Sequence, residues 1–275
     1  MVALQRRGGA ETVFVGSSLV GVGVDPALYD EARAPSRPAY NAALLSSSLG
    51  EQSLWTRSFV VPMLHPRTVV IGVSAREMNA DDPSLDTADR VFPQIGEVRH
   101  ALGVESTLEQ IDRRLRDVSY LWRYREVLRD PGSIFNQGAL TPESEISSRG
   151  MTLVDVPRTF TPFDAGREAA FGHFATYKLG QQRVAQLTSF VQWLAANGIQ
   201  PVVVDMPITP GAIAYLPRGT ADQDELSSAL AKIVTDAGGR FVETGVWSTD
   251  DFADEWHLNG KGAQALTRLL AQELR

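Results

Sequence analysis

Four short apolar runs constrain this chain more than anything else in it: TVFVG at 12–16, RTVVIGV at 67–73, PVVVDMP at 201–207 and GRFVETG at 239–245. Each is too brief for a helix, rich in β-branched residues and bounded by Gly, Pro or charge. Such runs read as strands of a covered sheet. A further short strand is expected at 39–41. Helical patterns fall between them: one opened by Asp25-Pro26, one over 51–64, one over 174–197 stopped by Gly198, one over 222–237 running into two glycines, and a last one over 260–274. An acid before Pro suits a helix start, and Gly suits a helix end. Strands alternating with helices predict an α/β fold with a doubly wound parallel sheet. In such folds the sites lie beyond the carboxyl ends of the strands.

The stretch 80–173 breaks this alternation. It holds an amphipathic pattern over 106–128, the segment PGSIFNQG and scattered prolines. It reads as a helical insertion, with Tyr120, Trp122 and Tyr124 either lining a cap over the site or packing their helix down. With 275 residues, 43% of them hydrophobic, the chain suits a single domain over 1–275 built on one core.

Composition removes several function classes. The formal net charge is -7 with no basic run, which disfavours nucleic acid as a partner. There are no cysteines, which excludes disulfides, thiolate catalysis and zinc–sulfur or iron–sulfur sites. No apolar run reaches the ~18 residues that span a bilayer, and no secretory signal is expected at the N-terminus. A cytoplasmic protein and the soluble part of an exported or membrane-attached one both fit. Gly21 and Gly23 match neither G-x-G-x-x-G nor G-x-x-x-x-G-K-[ST], so they are read as easing a tight path into a helix. His65, His100 and His173 are dispersed and read as surface or structural residues, with no metal site.

Two elements carry chemistry. GSSL at 16–19 places Ser17 and Ser18 directly after the first strand. DEWH at 254–257 places an acid three residues before His257, ahead of the last helix. A serine hydroxyl needs a base, which an imidazole with an unperturbed pKa near ~6.5 supplies. The imidazole needs a carboxylate to fix its tautomer and stabilise its charged form. Asp254 fits that role, with Asp251 as the substitute. Trp256 is read as packing beneath the turn and Glu255 as its solvated neighbour. Pro207 and Pro210 suit a rigid loop at the same edge, whether as a pocket wall or a plain connector.

GSSL and Asp-x-x-His together resemble the SGNH or GDSL hydrolases. The resemblance covers the strand–helix order of nearly the whole chain except 80–173. VGSSLVGVGVDP and FADEWHLNGKGA are most similar to the branch that includes bacterial polysaccharide O-acetyltransferase-like proteins. It implies a flavodoxin-like three-layer sandwich with Ser18 as nucleophile, His257 as base and Asp254 as its orienting acid. Ser17 stands where the family has an acid. Ser46, five past Asn41, stands at the position of a family Gly, and Ser74 at that of a family Asn. Both positions normally supply oxyanion donors: Ser46 retains a backbone N–H, Ser74 a shorter hydroxyl, and Arg76 or Asn79 is placed to compensate. The expected function is a serine esterase or O-acyltransferase working through an acyl-enzyme, with acetyl on a sugar as the family-based substrate and no cofactor. A non-catalytic module of the same fold, binding a glycan or a partner protein, is the alternative.

Overall fold

The computed structural model describes residues 1–123, 125, 145–153, 160–162 and 174–275. Strands β1 (Thr12–Val15), β2 (Tyr40–Asn41), β3 (Thr68–Val73), β6 (Gln200–Asp205) and β7 (Arg240–Glu243) form one sheet; β4 (Glu145–Ile146) and β5 (Thr152–Leu153) form a separate antiparallel hairpin. The sheet runs β2-β1-β3-β6-β7 and every pair in it is parallel. Counting only its own strands, the order is 2-1-3-4-5, a doubly wound arrangement whose direction reverses between β1 and β3.

Helices cover both faces, as parallel strands require. Pro26–Arg33 and Gly260–Glu273 pack together on one face; the helical run from Leu49 to Leu64, with Gln181–Ala196 and Thr220–Asp236, covers the other. The split follows the strand order, because the chain leaves β1 in one direction and returns past it in the other; crossovers that keep one hand then put their helices on opposite faces. β1, β3 and β6 are accordingly buried almost end to end, with Phe14, Ile71 and Val203 inaccessible to solvent, while edge strand β7 is buried at Val242 alone.

All five strands expected from the sequence are present, to within two residues at each end. Helix starts deviate more. The chain is already helical at Ser18–Gly23, before the helix that Asp25 caps through bonds from Ala27 N (2.9 Å) and Leu28 N (3.4 Å). Gly21 and Gly23 are thus helical residues, not a path into one. The helix expected from 174 begins at Gln181; Phe174–Thr176 is a 3₁₀ turn, and Leu179 bridges to Asn79 in between.

Within 80–173, helices Pro83–Val91, Gly96–Ala101, Thr107–Val118 and Tyr120–Arg123 are described. Arg183, 2% exposed, anchors the first of these through Asp86 (2.6 Å) and Asp89 (2.7 Å). Thr107–Val118 buries no residue, and Tyr120 and Trp122 are exposed. Tyr124, His173 and PGSIFNQG lie outside the described residues.

One contact positions the site. A Cβ on Gly72 of β3 would stand 2.3 Å from Val20 Cγ2 and 2.7 Å from Met206 Sδ. The bare backbone there lets the Ser18–Gly23 helix settle onto the sheet. Gly72→Ala is expected to destabilise the protein by about 1–3 kcal/mol through overpacking, seen as a lower urea midpoint at unchanged slope.

Candidate active site

Ser18 is the first residue of its helix, with Ser17 at the N-cap. Its N–H precedes any intrahelical acceptor, and among the described residues it has no partner. The side chain stands at the carboxyl end of β1, at the sheet's reversal point.

The acid–histidine turn lies between the 3₁₀ turn Thr249–Asp251 and the last helix. Asn259 organises it. Its Oδ1 caps the helix by accepting from Lys261 N (3.0 Å) and Gly262 N (3.1 Å), while its Nδ2 donates to Asp250 O (2.9 Å) and Phe252 O (3.1 Å). Ala253 N donates to His257 O at 2.8 Å, closing the loop. Gly262 allows the close approach, since a Cβ there would lie 2.1 Å from Asp251 O.

Inside this turn Asp254 Oδ1 accepts from the N–H groups of Trp256 (2.9 Å) and His257 (2.8 Å). His257 Nδ1 faces Oδ2 at 3.0 Å and Oδ1 at 3.1 Å, and His257 Nε2 meets Ser18 Oγ at 2.9 Å across 239 positions of sequence. A carboxylate only accepts, so Nδ1 carries the proton and Nε2 is left to accept from the serine. Burial pushes the Asp254 carboxyl up, but the His257 hydrogen bond and charge, with the two backbone N–H donors, outweigh it and hold the group below its ordinary value. Asp251, the alternative acid, pairs with Lys261 Nζ at 2.8 Å instead.

Ser18 and His257 open into a small cleft of about 50 Å³, lined also by Ser17, Leu19, Ser46, Ser74, Arg76, Glu77, Phe174 and Trp256. Ser18, Ser46, Ser74, Arg76 and His257 therefore share this cleft, with Asp254 behind the imidazole. Trp256 stacks on Phe174 with ring centroids 4.2 Å apart and 18° between planes, forming an aromatic wall. None of the described residues of 80–173 lines the cleft, so the cap expected of Tyr120 and Trp122 is not formed by them.

Ser46 keeps its expected backbone donor, while the expectations for Ser74 and Asn79 change. Ser46 has φ 58°, a left-handed conformation that disfavours a side chain; its N–H has no partner among the described residues. Ser74 was expected to offer a hydroxyl donor. Instead its Oγ–H donates to Glu77 Oε2 (2.5 Å) and its N–H donates to the same oxygen (3.0 Å), while Oγ accepts from Arg76 N (3.3 Å). This is a capping box, S-x-x-E, which uses both donors of Ser74 to start a helix. Asn79 is fully buried away from the cleft, its Oδ1 accepting from Asp81 N (3.1 Å) and Lys178 N (3.3 Å).

Of the dispersed histidines, His100 pairs with Glu105 at 2.8 Å and His65 ends a helix. Among the described residues no group of three or more His, Asp or Glu is placed to hold a metal, and no helix is long and apolar enough to cross a membrane. Glu77, Leu19 and Phe174 line the cleft without having been singled out from sequence. Only Glu77 had a readable signal, the S-x-x-E spacing. In comparisons with known proteins, no family model and no curated sequence matches this chain.

The strongly raised carboxyl lies elsewhere. Asp205, 1% exposed at the end of β6, has its carboxyl pKa pushed up to about 7 by burial, against hydrogen bonds from Ser227 and Gln223. A folded value above the unfolded one of ~3.9 means stability is fully present below about pH 4 and is lost as pH rises towards 7. Asp205→Asn is expected to flatten that decline, measured by urea unfolding across pH 4 to 8.

Proposed function

We propose that this protein is a serine esterase or O-acyltransferase of the SGNH-hydrolase type, acting on small acyl esters through an acyl-enzyme. The observation that carries the reading is the continuous contact from Ser18 Oγ through His257 to Asp254, at 2.9 Å and 3.0 Å, with Ser18 and His257 opening into one cleft. The 2-1-3-4-5 sheet order and the placement of the serine at the reversal point support it.

Ser18 Oγ attacks the acyl carbonyl carbon as its proton passes to His257 Nε2. Asp254 holds the imidazolium by its Nδ1–H and balances its charge. The carbonyl oxygen becomes an oxyanion held by the N–H groups of Ser18 and Ser46, with the Arg76 guanidinium adding positive potential. Collapse breaks the bond to the leaving alkoxide, which takes the proton from Nε2. Water or a second alcohol then attacks the acyl-enzyme as its proton passes to Nε2, and collapse breaks the bond to Ser18 Oγ, which takes that proton back from Nε2 and regenerates the free serine and neutral imidazole. The same residues serve hydrolysis and transfer; a small cleft suits a short acyl group such as acetyl, and a carbohydrate ester is the substrate class the resemblance suggests. The engagement of both Ser74 donors by Glu77 favours one rival, a non-catalytic module binding a glycan or partner protein.

A fluorophosphonate should label Ser18, located by mass spectrometry of the digested protein, and His257→Ala should abolish the adduct. Turnover of a small activated ester should fall by about 10⁴-fold or more in Ser18→Ala. Well-folded protein that takes no label would support the binding module. Ser46 offers a second test. If its backbone N–H is the donor, Ser46→Gly and Ser46→Ala keep kcat within about threefold, and the glycine variant gains about 1 kcal/mol of stability. A donor hydroxyl would instead cost both variants about 10²–10³ in kcat.

A further inference from the structure

Two buried carboxylates flank Arg76, and each divides its oxygens in the same way. Glu77, 1% exposed, gives Oε2 to the N–H and hydroxyl of Ser74 (3.0 and 2.5 Å), and its Oε1 has no hydrogen bond. Asp82, 2% exposed, gives Oδ1 to the N–H and hydroxyl of Ser84 (2.9 and 2.5 Å), capping the helix Pro83–Val91, and its Oδ2 has no hydrogen bond. The two oxygens left over lie within ion-pairing distance of one guanidinium. Arg76 Nη1 is 3.9 Å from Glu77 Oε1, and Arg76 Nε is 3.6 Å from Asp82 Oδ2. Buried carboxylates need a charge partner, and Arg76 supplies it to both. The converse also holds: two acids locked by their caps fix where the guanidinium sits. Arg76 itself lines the cleft with Ser18 and His257, its side chain 19% exposed. It is the one Arg or Lys among the described residues that line it. Ser18 and Arg76 each stand three residues past the end of their strands, and those strands are neighbours. A guanidinium carries five N–H donors. Asp82, Glu77 and Ser84 Oγ, 3.5 Å from Nη2, face one each, so donors remain for the cleft.

Resting on the esterase or acyltransferase reading, we propose that Glu77 and Asp82 are positioning residues that aim Arg76 so that its remaining N–H groups donate to the oxyanion, in place of the Ser74 hydroxyl that Glu77 engages. Arg76 then touches the reacting atoms, and the two acids act only through it. No proton moves to or from any of the three. One guanidinium between two carboxylates has a formal charge of -1, summed from one Arg and two acids. Such a group does not draw in an anionic substrate from a distance. What Arg76 supplies acts at hydrogen-bond range, and it depends on direction, which the two acids set.

A double-mutant cycle on hydrolysis of 4-nitrophenyl acetate tests this. Arg76→Met should lower kcat by about 10²-fold with KM within about threefold, because the oxyanion exists only beyond the ground state. Glu77→Gln and Asp82→Asn each keep the oxygen that serves the cap and turn an N–H₂ towards the guanidinium. Each should lower kcat by about tenfold through misdirection of Arg76. In the Arg76→Met background neither should cost more than about a further twofold, since the group they aim is gone. Urea midpoints establish that each variant is folded. If Asp82→Asn loses its cap and unfolds, Glu77→Gln carries the test alone. Losses from the two acids that persist in full beside Arg76→Met overturn the assignment, because the acids then act independently of the arginine. A preference for the mono-4-nitrophenyl ester of succinate over the acetate, abolished by Arg76→Met, also overturns it: the guanidinium would then bind charge on the substrate. Active wild-type protein matched in kcat by Glu77→Gln and Asp82→Asn overturns the assignment and leaves the esterase reading intact. Wild-type protein that neither hydrolyses the ester nor takes a fluorophosphonate on Ser18 overturns the catalytic reading and the assignment with it.

Discussion

The parallel pairing of β1 with β3 is the constraint on which the site depends. It aligns Val13 with Val69 and Phe14 with Val70, and it brings the ends of two sequence-distant strands to one edge. The chain leaves β1 towards β2 and returns past it to β3, so no connection covers the ends of that central pair. Ser18 follows one strand and the Ser74–Glu77 turn follows the other. Covering both faces with helices dries the core and makes the edge the natural opening.

The acid–histidine turn has to reach that opening from the far end of the chain. It does so because Asn259 serves two structures at once, capping the last helix through Oδ1 and tying back the preceding loop through Nδ2. Asp254 repeats the economy on a smaller scale. Its Oδ1 accepts two backbone donors that hold the turn's shape, and both its oxygens face the imidazole. A carboxylate satisfied in this way remains ionised and does not swing. The packing of Gly72 beneath Val20 seats the serine helix with similar tightness. Rigid placement of this kind preorganises a site before any ligand arrives.

Much of this was readable in the order of residues. Buried parallel strands announce themselves as short apolar runs, and β1, β3 and β6 are such runs. Asp254 and His257 lie three apart, so their contact is local and their spacing predicts it. The helix at Ser18–Gly23 was hidden because two glycines and two valines carry little helical preference; it forms because its apolar side chains have the sheet and the last helix to pack on. The diversion of Ser74 was legible as S-x-x-E but competed with a family-based expectation for the same residue. The left-handed backbone at Ser46 leaves no trace in a residue that does not favour it.

Sequence by itself determined the layer architecture and the chemical types of Ser18, Asp254 and His257, because strand and helix periodicity and a three-residue spacing are local properties. Only the tertiary structure decided that Ser18 Oγ meets His257 Nε2 and that the aromatic pair Phe174–Trp256 walls the cleft. Those contacts join residues brought together by the sheet crossovers. Neither outcome is encoded in any window shorter than the fold.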